Sequence, residues 1–257
     1  MGTYVVTGSA SGIGAATASR LREDGHRVIG VDLAPADVTA DLATAAGRRV
    51  AVERIAALAP DGLTGVVPCA GIGGLTGSDP ADVVSLNYFG AVELCAALRP
   101  LLAASGRAAV VLLSSNSVTC QPGWAREVAD LCLAGDEAKA RTAAAAYDAV
   151  HVYPATKAAL AWWARREGVT PEWIGAGIRV NAVAPGLVDT TMTQRLRTDP
   201  VLGPFADAYP TAIGRPGRPD EVSEAVAFLL SERARLVVGS TLTVDGGSEA
   251  MLFPTGA

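Results

Sequence analysis

The chain has 257 residues, of which 50% are hydrophobic and 18% charged, and its formal net charge is −5. This length suits one α/β domain with a large buried sheet, and the acidic balance argues against a nucleic-acid partner, which a basic patch would mark. The chain holds four cysteines without a CxxC pair and only two histidines, which argues against a zinc site and favours free thiols in a reducing compartment.

No secretory signal is visible, because Met1–Thr3 runs straight into a strand-like segment. The longest uncharged stretch, residues 108–125, contains several hydroxyl and amide side chains and is too polar to span a bilayer. We therefore expect a cytoplasmic protein without a membrane partner.

Short apolar runs alternate with alanine-rich helical stretches along the chain. The runs that predict strands are Tyr4–Val6, Arg27–Val31, Val66–Val67, Ala109–Leu113, Ile178–Val183 and Thr241–Val244. Helices are predicted in the intervals, among them residues 13–24, residues 81–103 with a turn or break, and residues 221–230. This alternation predicts an α/β fold with a doubly wound parallel sheet of the Rossmann type, formed by residues 1–257 as a single domain.

Two stretches interrupt this rhythm. Residues 117–150 separate a strand from the next helix and predict two helices of their own, with an apolar face at Trp124, Val128, Leu131 and Cys132. Gly135 breaks the first helix, and Asp136 can cap a second over residues 137–147. Residues 187–218 contain four prolines and predict a loop-like lid over a substrate site.

A glycine-rich turn follows the first predicted strand and opens the first helix. In Thr7-Gly8-Ser9-Ala10-Ser11-Gly12-Ile13-Gly14, Gly8 permits the tight turn, Gly12 lets a pyrophosphate approach the backbone, and Gly14 lets the helix pack on the strand. The helix N-terminus then offers free N–H groups to the phosphates. The candidate cofactor contacts here are Gly8, Ser11, Gly12, Ile13 and Gly14. A purely structural turn is the alternative interpretation.

Asp32 ends the second predicted strand, 18 residues beyond Gly14. A carboxylate at this distance accepts hydrogen bonds from the adenosine ribose and repels a 2′-phosphate. Leu33 follows where an arginine would favour that phosphate, and no basic residue lies within Ser9–Ser11. The pattern therefore favours NAD over NADP, with a solvated turn aspartate as the alternative.

Tyr153 and Lys157 are four residues apart, which places them on one face of a helix. An ammonium beside a phenol lowers the phenol's pKa. A phenol adjusted in this way can exchange a proton with a substrate hydroxyl or carbonyl oxygen. A surface pair is the alternative for this spacing taken alone.

The glycine turn, Asp32, Asn87, Ser115, the Tyr153–Lys157 pair and Pro185-Gly186 occur in one order along the chain. In that order the sequence resembles the short-chain dehydrogenase/reductase family over essentially its whole length, ending in Asp245-Gly246-Gly247. The resemblance implies an NAD-dependent enzyme that interconverts a secondary alcohol and a ketone. A non-catalytic NAD-sensing module and a dehydrogenase of another small secondary alcohol are the alternatives, but sensing modules typically lack the tyrosine or the lysine.

The resemblance also implies a role for each matching position. Tyr153 would be the general acid and base, Lys157 would lower its pKa and hold the nicotinamide ribose, and Ser115 would bind the carbonyl oxygen. Asn87 would help to hold Lys157 through a water. The remaining implied cofactor contacts are Leu33, Asp41, Leu42, Ala70 and Gly71 on the adenosine side, and Pro185, Gly186, Val188 and Thr190 on the nicotinamide side.

Simpler roles remain open for three of these residues. Ser114 could replace Ser115 as the polar contact, Asn87 could stabilise a helix bend, and Thr190 could be a turn residue. Two departures from the family pattern stand out. Pro68-Cys69 occupies the place of a usual asparagine, which would loosen that loop, and Pro154 follows the tyrosine, as an N-terminal helix position tolerates.

The separation of 38 residues between Ser115 and Tyr153 exceeds the family's usual spacing. This insertion, with the segments GIGAAT, NYFGA, AGDEAKAR and DGG, resembles a bacterial branch of the family that acts on bulky hydrophobic ketones such as steroids. In that branch the extra helices block one tetramer interface and leave a dimer. We expect a bulky hydrophobic, steroid-like or aryl substrate and a homo-oligomer, either dimer or tetramer. Whether the insertion lines the pocket or a subunit interface stays open.

Overall fold

The computed structural model describes residues 1–256, except for the side chain of Asp207, and its centre is a seven-stranded parallel sheet. The strands are β1 (Thr3–Thr7), β2 (Arg27–Asp32), β3 (Val38–Thr39), β4 (Gly65–Pro68), β5 (Ala108–Leu113), β6 (Ile178–Pro185) and β7 (Thr241–Val244). Their spatial order is β3-β2-β1-β4-β5-β6-β7. The predicted fold class is confirmed, and β3 is the strand that the sequence did not predict, because two residues make no apolar run.

The twelve α-helices cover both faces of the sheet within the described residues. They are α1 (Gly12–Glu23), α2 (Ala45–Leu58), α3 (Pro80–Val84), α4 (Gly90–Ala104), α5 (Ser117–Cys120), α6 (Arg126–Leu133), α7 (Glu137–Ala144), α8 (Ala149–Glu167), α9 (Thr191–Arg197), α10 (Gly203–Asp207), α11 (Pro219–Leu230) and α12 (Ser248–Leu252). Helices α1 and α11 pack on one face, and α2, α4 and α8 pack on the other. All six residues of β5 are buried, as expected for a strand covered on both sides.

The predicted break in the helix over residues 81–103 is a π-helical turn, Ser85–Phe89, between α3 and α4. Asn87 lies in this turn. The combined stretch Pro80–Ala104 is long and apolar enough to cross a membrane, but 61% of its most apolar window is buried inside the protein. A core helix of a soluble protein has the same property.

The insertion consists of α5, α6 and α7, and it belongs to the main hydrophobic core. Its side chains at Val128, Ala129, Cys132, Ala140 and Ala144 are fully buried. The side chain of Asp136 accepts a hydrogen bond from Lys139 N at 3.0 Å, so it caps α7 as predicted. Helix α6 packs along α8, where the Trp124 and Trp162 rings are 6.0 Å apart.

The segment 187–218 is more ordered than the predicted loop, because it contains α9 and α10. The Thr190 side chain caps α9 by accepting from Thr193 N at 3.3 Å. Pro204 lies at the start of α10, where a missing N–H costs no helical hydrogen bond. Pro200 lies between α9 and α10, Pro210 follows α10, and Pro216 precedes α11. Pro204 is the one that lies in the first turn of a short helix.

Pro154 is not at an N-terminal helix position as predicted, because α8 begins five residues earlier, at Ala149. A proline inside a helix removes the hydrogen bond to the carbonyl four residues before it, here that of Val150. In this structure Gln121 Nε2 of the insertion donates to Val150 O at 2.7 Å. The insertion thus satisfies the carbonyl that the proline leaves free.

Candidate active site

The glycine turn connects β1 to the N-terminus of α1 at the carboxyl edge of the sheet. Gly8 and Gly12 have φ angles of +63° and +55°, which favour glycine. A Cβ at Gly14 would lie 2.1 Å from Gly8 O, so the helix and the strand meet too closely for any side chain there. A Cβ on Gly12 would point at Thr190 Cγ2, 3.4 Å away, and would fill the space between the turn and α9. Ser11 is the N-cap residue of α1, and Ile13 is the second residue of that helix.

Asp32 lies beside the same turn. Its Oδ2 accepts from Ala10 N and its Oδ1 accepts from Ala34 N, both at 3.0 Å. Each carboxylate oxygen retains lone pairs for a further donor. The carboxylate is therefore fixed at the end of β2 and can still accept from a ribose hydroxyl.

A cavity of about 600 Å³ opens next to Asp32, beyond Leu33. Its apolar wall includes Leu33, Ile72 and Leu86, and its polar wall includes Asp41 and Thr44. Its lining includes residues that follow β2, β3 and β4, at the carboxyl edge of the sheet, where open α/β sheets bind nucleotides. The cavity can accommodate a flat heteroaromatic ring.

The implied adenosine contacts do not all face this cavity. Asp41 is exposed and lines it, whereas the Leu42 side chain is buried in the core, so only the backbone of Leu42 is available to a ligand. Ala70 N donates to Thr7 Oγ1 at 2.9 Å, which ties the loop after β4 to β1. This hydrogen bond restrains the loop that contains Cys69 and Gly71. It therefore opposes the loosening expected from Cys69 in place of an asparagine.

Tyr153 and Lys157 lie one turn apart on α8, as predicted, with Lys157 Nζ 5.5 Å from the centroid of the tyrosine ring. Lys157 is buried, and its ammonium donates to Leu113 O at 2.8 Å. Burial lowers the pKa of Lys157 to about 8, against the opposing effect of the nearby Cys69. The amine can therefore gain and lose a proton close to neutral pH.

Burial raises the pKa of the Tyr153 phenol, while a hydrogen bond with Ser115 acts in the opposite direction. The shift is opposite to that expected from the Tyr-x-x-x-Lys spacing. The reason is that removing the phenolate from water destabilises it by more than the hydrogen bond with Ser115 stabilises it. In the protein without a bound cofactor, the phenol therefore stays protonated and can act as a proton donor.

The two candidate serines after β5 do different things. Ser114 is buried and its hydroxyl donates to Lys157 O at 2.9 Å, which fastens α8 to the strand. Ser115 Oγ accepts from Ser117 N at 3.1 Å and is hydrogen-bonded with Tyr153. The geometry thus favours Ser115 over Ser114 as the side chain beside the tyrosine hydroxyl.

Asn87 connects the π-helical turn to the loop after β4. Its Oδ1 accepts from Ile72 N at 2.8 Å and its Nδ2 donates to Ile72 O at 2.9 Å. A Cβ on Gly71 would lie 3.0 Å from Asn87 Oδ1 and 3.9 Å from Lys157 Nζ. Asn87 therefore stabilises the bend, as the simpler interpretation predicts, and also lies in the neighbourhood of Lys157.

The segment Pro185–Thr190 passes between β7 and the glycine turn. Gly186 N donates to Val244 O at 3.1 Å, and a Cβ on Gly186 would lie 2.7 Å from Asp245 Cβ. Val188 is buried and pairs with Gly217 in an isolated bridge. The described structure thus brings this segment to the same edge of the sheet as Tyr153.

Two connections between the lid and the body were not predicted. Asp199, buried in the lid, accepts from Thr76 N and Thr76 Oγ1, both at 2.8 Å. Burial acts to raise the pKa of Asp199, but these bonds and two backbone amides of the lid hold it at about 2. Tyr209 donates to Asn116 Oδ1 at 2.9 Å, next to Ser115. These long-range hydrogen bonds have no local signal in the sequence.

Two family models match the chain. The model described as the NAD dependent epimerase/dehydratase family matches residues 4–186, and the model described as enoyl-(acyl carrier protein) reductase matches residues 138–249. The first spans more than half of the chain and includes the glycine turn and Tyr153.

Relatives of known activity match from end to end. The 3-alpha-hydroxysteroid dehydrogenase/carbonyl reductase of Comamonas testosteroni is 37% identical, and the alignment covers 99% of both chains. The cis-4-hydroxycyclohexanecarboxylate dehydrogenase of Sinomonas cyclohexanicum is also 37% identical, with 96% of both chains covered. Among solved structures, the 3-alpha-hydroxysteroid dehydrogenase from Pseudomonas sp. B-0831, complexed with NADH, is 40% identical. It has a TM-score of 0.94 and covers 99% of this chain and 100% of that chain.

Proposed function

Because the chain belongs to the short-chain dehydrogenase/reductase family, we propose that it interconverts a secondary alcohol and a ketone with NAD as its cofactor. The observation that carries this proposal is the grouping of Ser115, Tyr153 and Lys157, in which Ser115 is hydrogen-bonded with Tyr153 and Lys157 Nζ lies 5.5 Å from the centroid of the tyrosine ring. The resemblance to the insertion-bearing bacterial branch is confirmed by the 37% identity with the Comamonas enzyme.

The residues present fit NAD. The space that a Cβ on Gly12 would fill suits a pyrophosphate on the N-terminus of α1. Asp32 would accept from the adenosine ribose and would repel the 2′-phosphate of NADP. Leu33 and Asp41 would flank the adenine, and the segment Pro185–Thr190 would line the nicotinamide. When bound, NAD accepts or supplies the hydride.

The chain's own groups handle the substrate oxygen. Ser115 and Tyr153 donate hydrogen bonds to it, and these strengthen as negative charge builds there, which favours the transition state over the ground state. In the reductive direction the Tyr153 phenol gives up its proton to that oxygen. A relay that includes Lys157, with a pKa of about 8, and a water near Asn87 restores the proton to Tyr153.

The proposed substrate is bulky and hydrophobic, either steroid-like or aryl. The support is the names of the relatives, two of which act on hydroxysteroids and one on a hydroxycyclohexane carboxylate, and the apolar side chains that the lid exposes at Met192 and Phe205. A dehydrogenase of a smaller secondary alcohol is the second candidate, and galactitol 2-dehydrogenase of Cereibacter sphaeroides, at 31% identity, favours it. A non-catalytic NAD sensor is disfavoured by the presence of both Tyr153 and Lys157.

We further propose a cytoplasmic homo-oligomer, in the form of a dimer. Apolar side chains are exposed on α11, β7 and α12, at Phe228, Leu242, Met251 and Leu252. A second copy that covers them would remove this apolar surface from water. The outer side of α8 is covered by α6 of the same chain, which supports a dimer over a tetramer.

The test follows NADH absorbance during incubation of NAD with 3α-hydroxysteroids, aryl alcohols and small aliphatic alcohols. We expect turnover of a bulky alcohol, a loss of at least a hundredfold in kcat for Tyr153→Phe, and unchanged NADH binding by that variant. Full activity of Tyr153→Phe would refute the proposed chemistry. Turnover of small alcohols alone would retain the chemistry and replace the proposed substrate class. NAD binding without turnover of any alcohol would favour the sensor.

A further inference from the structure

Helix α7 of the insertion forms one wall of the cavity beside Leu33. Glu137 and Arg141, one helical turn apart on α7, both line this cavity, together with Asp41. Arg141 Nη1 donates to Ala81 O of α3 at 3.0 Å, so this end of α7 is fixed to the body. The wall is therefore a structural part of the cavity and belongs to the insertion, not to the β–α–β framework.

The opposite contact of α7 is made through a buried arginine. Arg48 on α2 is 4% exposed, and its Nη2 donates to Glu137 Oε2 at 2.6 Å. Its Nε lies 2.7 Å from Glu93 Oε2, but this N–H does not point at the oxygen, so the contact is an ion pair and not a hydrogen bond. Since a buried guanidinium depends on its partners, Glu137 and Glu93 together fix the direction in which Arg48 points, and Glu137 does so through a hydrogen bond.

Arg48 uses its other amino group to hold the segment 41–43. Nη1 donates to Leu42 O at 3.2 Å and to Ala43 O at 3.3 Å. The remaining hydrogen bonds of this segment are local, such as Ala43 N to Asp41 Oδ1 at 3.0 Å. Local bonds determine the shape of the turn, whereas the Arg48 contacts determine where the turn lies relative to the cavity.

We propose that α7 is part of the cofactor site and that Glu137, acting through Arg48, positions the segment 41–43 against the adenosine half of NAD. The inference rests on the proposed function for the identity of the ligand. Glu137 is a positioning residue in this arrangement, because it acts through Arg48 and the segment. The insertion then sets the affinity for one half of the cofactor and has no part in the chemistry at the other half.

Calorimetric titration with two fragments of NAD tests this division. ADP-ribose probes the adenosine half, and nicotinamide mononucleotide probes the other half. For Glu137→Gln we expect the Kd for ADP-ribose to rise about tenfold. The Kd for nicotinamide mononucleotide and the kcat at saturating NAD should stay as in the wild type, whereas the thermal unfolding midpoint should fall, because the buried Arg48 guanidinium loses a charged partner. Glu127→Gln, which makes the same change at an exposed position of α6, is the matched control and should leave all four values unchanged.

A second variant tests whether the effect of Glu137→Gln comes from the new amide group itself. Arg48→Lys keeps the charge but cannot reach two carbonyls and a carboxylate at once, and we expect the same selective loss of ADP-ribose affinity. A Kd for ADP-ribose within twofold of the wild-type value in both variants would overturn the proposal, as would an equal weakening of both fragments. ADP-ribose binding requires no turnover. A selective loss in a chain that oxidises no alcohol would therefore support this inference while refuting the proposed reaction.

Discussion

The insertion and the lid both interrupt the β–α–β pattern, yet they relate to the core in opposite ways. The insertion buries Val128, Cys132 and Ala140 completely, and its helices join the main hydrophobic cluster. The lid leaves large apolar side chains in contact with solvent, among them Val201 at 56% exposure and Phe205 at 71%. It is held to the body by directed hydrogen bonds, such as those between Asp199 and Thr76.

The difference follows from the residues of the two segments. Alanines and apolar side chains at helical spacing let the insertion pack closely on α8, whereas the four prolines of the lid limit it to short helices and turns. A segment in the core contributes to stability and can fix its neighbours. A segment with exposed apolar side chains remains available to an apolar ligand. The comparison supports the proposals that the insertion serves the cofactor end of the site and that the lid serves the substrate end.

The largest expected effect tests whether the side of α8 that faces the sheet is sealed from water. The pKa of Lys157 is about 8 in the folded protein and 10.5 as the ordinary value, so the folded chain binds fewer protons than the unfolded chain between these pH values. Burying the charge costs stability fully below pH 8, and this cost disappears as the pH rises to 10.5. Lys157→Met should therefore gain up to about 3 kcal/mol over the wild type at pH 7, and the gain should vanish near pH 10.5.

Urea denaturation at intervals between pH 7 and pH 10.5 measures this difference. The slope of the difference against pH is the informative quantity, because the methionine also leaves Leu113 O without its donor. Lys139→Met, at an exposed position of the insertion, is the control and should show no comparable slope. Parallel curves for Lys157→Met and the wild type would mean that water reaches the ammonium.

The next effect compares the two segments by the same chemical change. Val128→Ala removes two methyl groups from a fully buried side chain of the insertion and should lower the free energy of unfolding by roughly 2 kcal/mol. Val201→Ala removes the same groups from an exposed side chain of the lid and should cost less than about 0.5 kcal/mol. Equal losses in urea denaturation would show that the lid is packed as firmly as the insertion.

The smallest effect concerns the substrate. Met192 of the lid lies beside Gly73, and a Cβ on the adjacent Gly74 would lie 2.8 Å from Tyr153 Cβ, so this methionine is close to the candidate active site. Met192→Ala should raise the KM for a bulky alcohol about fivefold, because it removes apolar area that the substrate would cover. The KM for NAD should not change. Leu236→Ala, at an exposed apolar position outside the lid and the proposed dimer surface, is the control. An unchanged KM for the alcohol would place the substrate away from this part of the lid.

Most of the fold could be predicted from local sequence. Six of the seven strands are apolar runs, and the glycine turn and the Asp136 cap are short-range patterns that need no knowledge of distant residues. The grouping of Tyr153 with Ser115 followed from the family resemblance, because no local pattern connects positions 38 residues apart.

The contacts that join distant segments could not be predicted. Arg48 binds Glu137 across 89 residues, and Thr76 binds Asp199 across 123 residues. In each case the sequence shows a polar residue that could equally well be solvated. The raised pKa of Tyr153 also escaped prediction, since it depends on burial, which the Tyr-x-x-x-Lys spacing does not report.

The hydrogen bond from Gln121 to Val150 O bears on how this scaffold can be recombined. Pro154 leaves the Val150 carbonyl without its helical donor, and the glutamine that donates to it lies in the insertion, outside α8. A chimaera in which the shorter connection of another relative replaces the insertion would retain Pro154 and lose Gln121. The Val150 carbonyl, in the turn before Tyr153, would then lack a hydrogen-bond donor. Replacing Pro154 by alanine in the same chimaera would restore an N–H donor at the right place. The insertion and this one residue of α8 are therefore best exchanged as a unit.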